Sequence, residues 1–378
     1  MRQTDQGRTY SLNGRKTAID LFAGSGGLTQ GLKKAGFAVI AAVEIDQLAV
    51  KTYSRNHPEV LVFDNDIRNL RCRTVLRKLN KKKGEIDLLA GCPPCQGFST
   101  LKTLNGSTHV RDKRNDLVFE YLRFVEEIRP RAIMLENVPG LAADKRMKKL
   151  SAALDELGYK CRFEVLDAQE YGVPQRRKRL ILVGSLHGEI GFGRRTIKRK
   201  TVWDAFRGLA ALKGRDPLHD TKTRKRSDRI TKTISLIPIN GGSRSSLPNG
   251  LKLRCHREST GFKDVYGRMA WGAVAPTITS GCVNPSKGRF LHPRANRAIT
   301  LREAAMLQSF PKRYFFSLEK GKFAVAALIG NALPPEFIRR HARKIHRFLE
   351  KWDAQHRRSS RTKPHTAQSV RRRAGRHA

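Results

Sequence analysis

The chain has 378 residues, which is enough for two ordinary domains or for one large domain with an insert. Its hydrophobic fraction is 39%, and its apolar runs are far shorter than a membrane span, so the composition predicts a soluble globular protein. The N-terminal residues lack the apolar stretch of a secretory signal, and we therefore expect a cytoplasmic protein.

Charge is the most unusual property of the composition. Lys and Arg number 76 against 33 Asp and Glu, which gives a formal net charge of +43. Such a chain attracts polyanions, and nucleic acid is the first partner to expect, although a merely basic surface is the alternative. The six cysteines are unevenly spaced and do not form a disulfide scaffold, which favours a reducing intracellular setting.

From residue 17 to residue 184, short apolar runs alternate with amphipathic segments, as in successive β–α units. Apolar spacing predicts one helix over Leu28, Leu32 and Ala35 and another from Leu117 to Ile128. The expected fold class is α/β, with a doubly wound, mostly parallel sheet of the Rossmann-like type. Strands are predicted at 17–21, 38–43, 61–63, 86–90, 132–135, 163–166 and 180–184.

The second half of the chain has a different pattern. From residue 187 the sequence is basic and punctuated by Gly and Ser, which predicts a smaller second domain. Helical spacing returns near 323, and the arginine-rich residues 353–378 predict a disordered basic tail that adds sequence-independent affinity for nucleic acid. The expected division is 1–15 flexible, 16–186 first domain, 187–322 second domain, 323–352 return to the first domain, and 353–378 tail.

A glycine-rich run from Asp20 to Gly27 follows the first predicted strand. Glycines permit a tight turn and the close approach of a ligand at a helix start. The next two strands end at carboxylates, with Glu44 placed to accept ribose hydroxyls and Asp66 placed to accept an adenine amino group. Together these features favour a nucleoside-type cofactor site, whereas each alone also fits a structural turn or a solvated charge.

The fourth strand ends in Gly91-Cys92-Pro93-Pro94-Cys95. The prolines stiffen the turn, so Cys95 is a candidate nucleophile at the sheet edge. Three other interpretations stay open: an inert buried cysteine, a Cys-x-x-Cys redox pair, or half of a zinc site. Zinc is the weakest of these, because no second Cys or His pair completes four ligands, and we predict no metal.

Glu136 ends the fifth strand and therefore shares an edge of the sheet with Cys95. A cysteine and a carboxyl facing one pocket suggest nucleophilic attack assisted by a proton donor. Arg177 and Arg179 lie two residues apart before an apolar strand and would project from one face. The alternative for these arginines is a phosphate-binding or solvated edge.

In this order, the segments resemble the motifs of the bacterial, S-adenosylmethionine-dependent cytosine carbon-5 DNA methyltransferases, over residues 16–349. Asp20 to Gly27 matches the first cofactor motif, Pro94-Cys95-Gln96 the nucleophile motif, and Glu136-Asn137-Val138 the second catalytic motif. Residues 175–179 resemble the arginine motif, and 297–303 with 308–311 the motif that organises the recognition domain. The basic segment 187–290 falls where the family has its target-recognition region.

The resemblance implies the following site residues. Catalytic roles fall to Cys95, Glu136, Arg177 and Arg179. S-adenosylmethionine would be bound by Asp20, Phe22, Gly24, Gly26, Gly27, Glu44, Ile45, Asp66, Ile67, Pro94, Leu117 and Asn331. DNA would be contacted by Gln96, Ser99, Arg244, Thr277 and Ile278.

The resemblance also implies the reaction. Cys95 would add to carbon 6 of a cytosine flipped out of the duplex, carbon 5 would take the methyl group, and elimination would free Cys95. The expected partner is double-stranded DNA at a short specific sequence, and a cognate restriction endonuclease is a candidate second partner. We expect a monomer that is cytoplasmic, nucleoid-associated and independent of membranes, in or derived from a restriction-modification system.

Three alternatives differ in class. An RNA cytosine methyltransferase shares the core, but the Cys-Phe-Thr element typical of that branch is missing from the sequence and the recognition insert is longer. A catalytically idle DNA-binding relative would not need Cys95, Glu136 and Arg179 together. A nicotinamide oxidoreductase with a redox Cys-x-x-Cys could use the glycine turn and Glu44, but it would not account for Asn331, Arg177 and Arg179 together.

Cys92 departs from the family pattern, which often has Gly or an aromatic residue at this position. We do not expect Cys92 to affect catalysis. A separate hypothesis is that oxidation joins Cys92 to Cys95 and silences the enzyme reversibly.

Overall fold

The computed structural model describes residues 14–94, 116–212, 214–221, 227–252 and 264–361. Its main feature is a seven-stranded sheet in the order β3-β2-β1-β4-β5-β7-β6. All seven predicted strands are present, and the first three have the predicted bounds. The strands are β1 Thr17–Leu21, β2 Ala38–Val43, β3 Leu61–Phe63, β4 Leu88–Gly91, β5 Ala132–Asn137, β6 Lys160–Asp167 and β7 Lys178–Ser185.

The sheet is parallel from β3 through β5, and β7 runs antiparallel to both β5 and β6. The chain order reverses between β1 and β4, which is the switch point where ligands bind in open α/β sheets. The predicted fold class, a mostly parallel doubly wound sheet, is therefore confirmed.

Helices cover both faces of the sheet because its strands are apolar on both sides. The described helices are α1 Gly27–Ala35, α2 Gln47–Asn56, α3 Cys72–Lys78, α4 Leu117–Ile128, α5 Lys145–Glu156, α6 Val202–Phe206, α7 Asp228–Leu236, α8 Leu301–Leu307, α9 Gly321–Asn331 and α10 Pro335–Arg361. One core cluster packs α1 and α10 against residues such as Ala18 and Ala42, and the other packs α3, α4 and α5 against Ile19 and Leu21.

The contact between α1 and α10 is unusually close. A Cβ on Gly31 would lie 2.6 Å from the Cβ of Ile338, so only glycine fits at this crossing. The last helix packs one apolar face inward, and each member of this face is fully buried: Ile338, Ala342, Ile345 and Leu349. The last helix of the chain is thereby fixed to the helix that follows the glycine run.

The predicted return to the first domain at residue 323 is wrong. Helix α9 packs into the second core, where Val325 and Ile329 join Val202 and other residues of the 187–322 region. Leu333 is the first residue after α9 that belongs to the core against the sheet. A helix does form near residue 323, but its buried residues pack into the second core.

The predicted start of the disordered tail at residue 353 is also wrong. Helix α10 continues to Arg361, and Asp353 forms ion pairs with Lys16 and Arg131. The ring of Trp352 stacks on His187, with 3.9 Å between the centroids. These contacts hold a segment whose composition is poor in apolar residues. The rest of the predicted tail, 362–378, lies outside the described residues, as do residues 1–13.

The region after residue 187 contains a buried arginine. The side chain of Arg268 is fully buried, and its guanidinium donates to four backbone carbonyls and to the amide oxygen of Asn296. The carbonyls come from two separate stretches of chain, so Arg268 joins these stretches, and it has no carboxylate partner among the described residues. Among the helices that the structure describes, none is long and apolar enough to cross a membrane.

Candidate active site

The glycine run lies at the carboxyl edge of the sheet, between β1 and α1. The Gly24 amide donates to Oε2 of Glu44 at 2.7 Å, and the amides of Ile45 and Asp46 donate to Oε1 at 2.9 and 2.8 Å. A carboxylate has about four acceptor positions, so one remains on Oε2. Glu44 thus fixes the loop and keeps an acceptor for a ligand.

The glycine loop is also held from the second core. The Tyr314 hydroxyl donates to the Ser25 carbonyl at 2.7 Å and lies 2.9 Å from Nε2 of His57. Gly26 has φ +88°, and a Cβ there would lie 2.5 Å from the Tyr314 hydroxyl oxygen. A Cβ on Gly27 would lie 2.3 Å from the Leu333 carbonyl oxygen. The loop therefore has no room for side chains at these two positions.

Asp20 lies buried beneath this loop. Its Oδ2 accepts from the Thr29 hydroxyl at 2.6 Å, whereas Oδ1 is buried without a hydrogen-bond partner among the described residues. Burial raises the pKa of Asp20 from 3.8 to about 7, against the opposing hydrogen bond from Thr29. The carboxyl is therefore expected to hold its proton below neutral pH.

This shift predicts a pH-dependent stability. Asp20 ionises above pH 3.8 in the unfolded chain, whereas it keeps its proton until about pH 7 in the folded protein. The free energy of unfolding therefore decreases as the pH rises through this window and is constant above it. The whole decrease due to Asp20 is about 4 kcal/mol. Asp20→Asn removes the titration, so the free energy of unfolding should fall less between about pH 4.5 and about pH 7.5 than in the wild type.

Urea unfolding at the two pH values measures this difference, because all other titrating groups are common to both proteins. Equal changes in the unfolding free energy of the variant and the wild type would contradict the predicted role of Asp20.

The remaining predicted cofactor residues differ in accessibility. Ile45 is 60% exposed, whereas the side chain of Ile67 is buried in the core below the sheet. Both carboxylate oxygens of Asp66 accept from Arg68, which lowers the pKa of Asp66.

Phe22 has φ +60°, a conformation that is uncommon outside glycine and recurs at functional sites. Leu117 and Pro94 are half-buried, and Asn331 is exposed at the end of α9.

Glu136 lies at the centre of the predicted catalytic group. Gly91 pairs with Leu135 between β4 and β5, so the next residues, Cys92 and Glu136, are neighbours. The Cys92 thiol donates to Oε2 of Glu136 at 2.7 Å, and Nε of Arg179 lies 3.0 Å from Oε1. Because β7 runs antiparallel to β5, its first residues lie beside the end of β5. The structure thus brings Glu136 and Arg179 together at one edge of the sheet.

Asn137 holds the turn that leads to the predicted nucleophile. Its side-chain amide donates to the Pro93 carbonyl at 3.0 Å, and its Oδ1 accepts from the Val138 amide at 2.8 Å. This role was not predicted from the sequence, although the position of Asn137 directly after Glu136 was the available signal. Three predicted site residues, Cys95, Gln96 and Ser99, lie outside the described residues.

Arg177 is buried between the sheet and the second core. Its guanidinium donates to the carbonyls of Ile278 and Gly330, each at 3.0 Å, and its Nε has no hydrogen-bond partner among the described residues. Burial, with Arg179 nearby, lowers the pKa of Arg177 to about 9, so the group remains charged at neutral pH. Arg177 therefore clamps together two segments of chain.

Gln175 completes this clamp, a role that was not predicted from the sequence. The Ile278 amide donates to Oε1 of Gln175 at 2.7 Å, and the Gln175 amide donates to Oε1 of Gln308 at 2.8 Å. Gln308 in turn donates to the Ile329 carbonyl at 2.6 Å. The signal available in the sequence was the position of Gln175 at the start of the arginine motif.

The predicted DNA contacts are only partly accessible. Ile278 is fully buried in the second core, so the prediction that its side chain contacts DNA is wrong. Thr277 is exposed, and its hydroxyl donates to the Arg176 carbonyl. Arg244 is largely buried, and its DNA contact stays a prediction. Within the described ranges, no group of three or more His, Cys, Asp or Glu side chains could hold a metal ion.

A family model described as C-5 cytosine-specific DNA methylase matches residues 16–347. The chain belongs to this family. It is a DNA cytosine methyltransferase, and the family and enzyme class predicted from the motifs are confirmed.

Curated relatives cover most of the methylase. The type II methylase M.HgiDII of Herpetosiphon aurantiacus is 36% identical in an alignment of 354 residues that covers 88% of this chain and 95% of that protein. The type II methyltransferase M1.HphI of Haemophilus parahaemolyticus is 34% identical in an alignment that covers 84% of this chain and 83% of that protein. A solved DNA modification methyltransferase from an Escherichia coli prophage has a TM-score of 0.65 at 27% identity, covering 89% of this chain and 99% of that one.

Proposed function

We propose that the methylase transfers a methyl group from S-adenosylmethionine to carbon 5 of cytosine in a short specific sequence of double-stranded DNA. The observation that carries this proposal is the Glu136 carboxyl, held between Cys92 and Arg179 beside the turn that runs into Cys95. A fixed carboxyl and a cysteine nucleophile are the two groups that proton-assisted addition to a ring requires.

The loop residues fit S-adenosylmethionine. The glycine loop has no room for side chains at Gly26 and Gly27, Glu44 keeps an acceptor for ribose hydroxyls, and the exposed Ile45 supplies an apolar surface for adenine. Asp20, Phe22, Gly24, Asp66, Pro94, Leu117 and Asn331 remain proposed contacts, and Ile67 would contribute through its backbone. When bound, S-adenosylmethionine supplies an electrophilic methyl group.

The residues of the chain prepare the cytosine. The Cys95 thiolate forms a bond to carbon 6, and the displaced electron pair increases the nucleophilicity of carbon 5. Glu136 holds a proton at ring nitrogen 3, which balances the negative charge on the ring. After carbon 5 is methylated, it loses its proton and the sulfur–carbon bond breaks, which frees Cys95. The base must first leave the stack, at a cost of a few kcal/mol.

Arg179 and Arg177 have different roles in this proposal. Arg179 orients Glu136 directly through its ion pair. Arg177 is a positioning residue, because its guanidinium ends on the carbonyls of Ile278 and Gly330. It connects Ile278 of the second core to Gly330 near the end of α9, the residue before Asn331. Gln96, Ser99 and Thr277 stay proposed DNA contacts.

The proposed division of the chain follows the packing of the cores. Residues 16–192 and 333–361 form the catalytic and cofactor-binding domain in this proposal, because Ile190 and Phe192 pack with the core against the sheet. Residues 202–332 form the target-recognition domain with α9. The likeness to type II methylases supports a place in or descent from a restriction-modification system, with a cognate endonuclease as partner. A monomeric, cytoplasmic protein and a DNA-binding role for 362–378 remain predictions.

Gly26→Ala should weaken the binding of S-adenosylmethionine at least about tenfold. The new Cβ would lie 2.5 Å from the Tyr314 hydroxyl and 2.7 Å from Nε2 of His57, so the loop must move. The dissociation constant, measured by titration calorimetry, tests this expectation. Gly84→Ala is the matched control, because Gly84 has the same φ of +88° but a Cβ there would have no atom within 4 Å. Equal affinities of the two variants would contradict the role of the contact.

The reaction itself is tested with purified protein, methyl-labelled S-adenosylmethionine and either duplex DNA or RNA. Digestion to nucleosides and mass spectrometry should identify 5-methylcytosine in DNA. Label found in RNA alone, or in neither nucleic acid, would contradict the proposal.

A further inference from the structure

Cys92 contacts the central carboxyl of the site although the reaction assigns it no role. It follows β4 directly, and its amide donates to the Leu21 carbonyl at 3.2 Å. This backbone bond extends the pairing of β1 with β4 by one residue. The Cys92 sulfur is thereby placed 2.7 Å from Oε2 of Glu136.

The Cys92 thiol is suited to donate a hydrogen bond and unsuited to act as a nucleophile. Burial and the nearby Glu136 carboxyl raise the pKa of Cys92 well above its usual value, so the sulfur keeps its proton. The charged groups facing this pair are Arg179, on the other carboxyl oxygen, and Arg177. Each oxygen of Glu136 therefore has one fixed neighbour.

We propose that Cys92 is a positioning residue for methyl transfer, because its thiol and Arg179 together fix the plane of the Glu136 carboxyl. This proposal rests on the proposed function. Glu136 presents its remaining acceptor positions to the target base, and the Cys92 hydrogen bond limits the rotation of the carboxyl. The proposal departs from the expectation that Cys92 leaves catalysis unaffected. The hypothesis of a Cys92–Cys95 disulfide stays a prediction, since Cys95 lies outside the described residues.

The test compares single-turnover methyl transfer by the wild type, Cys92→Ala and Cys92→Ser. Cys92→Ala should lower the rate constant about tenfold, or about 1.4 kcal/mol. The KM values should change little. Cys92→Ser keeps an O–H donor and should restore the rate constant.

Cys161→Ala is the control for loss of a half-buried cysteine, because Cys161 lies on the outer strand β6 away from Glu136. It should retain the wild-type rate constant. If Cys92→Ala does not fold, Cys92→Val replaces it, because valine also lacks the donor and is favoured in strands.

Each outcome decides the proposal. A Cys92→Ala rate constant equal to that of the wild type overturns it, and so does a Cys92→Ser variant that behaves like Cys92→Ala. An active wild type with either of these results leaves the proposed function intact. A wild type that transfers no methyl group overturns both.

Discussion

Glu136→Gln is expected to lower the rate constant for methyl transfer by on the order of 10²–10⁴-fold. Glutamine has nearly the shape of glutamate, but it lacks the charge that pairs with Arg179 and cannot hold the exchangeable proton of a carboxyl. The loss should therefore appear in the single-turnover rate, measured with labelled methyl groups at saturating DNA.

The binding of DNA and cofactor should change far less, because Glu136 is buried at the end of β5 and contacts Cys92 and Arg179. Glu164→Gln is the control, since Glu164 is exposed on β6. A Glu136→Gln enzyme within tenfold of the wild-type rate would remove Glu136 from the chemistry.

Cys95→Ser should lower methyl transfer at least about 10³-fold, because a serine hydroxyl is a much weaker nucleophile near neutral pH. The covalent step can be observed directly with duplex DNA carrying 5-fluorocytosine. Fluorine cannot leave carbon 5 as a proton does, so the bond between Cys95 and carbon 6 should persist. A denaturing gel should then show a protein–DNA complex for the wild type.

Cys161→Ser should form this complex like the wild type, because Cys161 lies on the outer strand of the sheet. A covalent complex formed by Cys95→Ser, or a wild type that forms none while methylating DNA, would contradict a nucleophilic Cys95.

The sequence was sufficient to predict the sheet because its strands are short, apolar and separated by clear turns. Residues 17–21 and 38–43 have the predicted bounds, and Glu136 lies at the end of β5 as expected. The carboxyl edge of a parallel sheet collects the residues that follow its strands. The candidate site therefore followed from local pattern together with one rule of topology.

The contacts within the site depend on register, which local pattern does not determine. The hydrogen bond from Cys92 to Glu136 requires that Gly91 pair with Leu135, a register set by packing across the whole sheet. The clamp formed by Arg177 joins residues more than one hundred positions apart, at Ile278 and Gly330. Such long-range contacts leave no periodic signal in the chain.

Composition is a poor guide to the end of the chain. Residues after 352 are basic and poor in apolar side chains, which is typical of disorder. The helix nevertheless continues to Arg361, because Trp352 stacks on His187 and Asp353 pairs with Lys16 and Arg131. A few specific contacts outweigh average composition here.

Methylation of cytosine in DNA by this chain should depend on Cys95. The most direct measurement is bisulfite sequencing of DNA from a bacterial host that lacks its own cytosine methylation and expresses either the wild type or Cys95→Ala. We predict methylation at one short motif with the wild type and none with the variant. Unmethylated DNA from cells containing soluble wild-type protein, or equal methylation by both proteins, would contradict this claim.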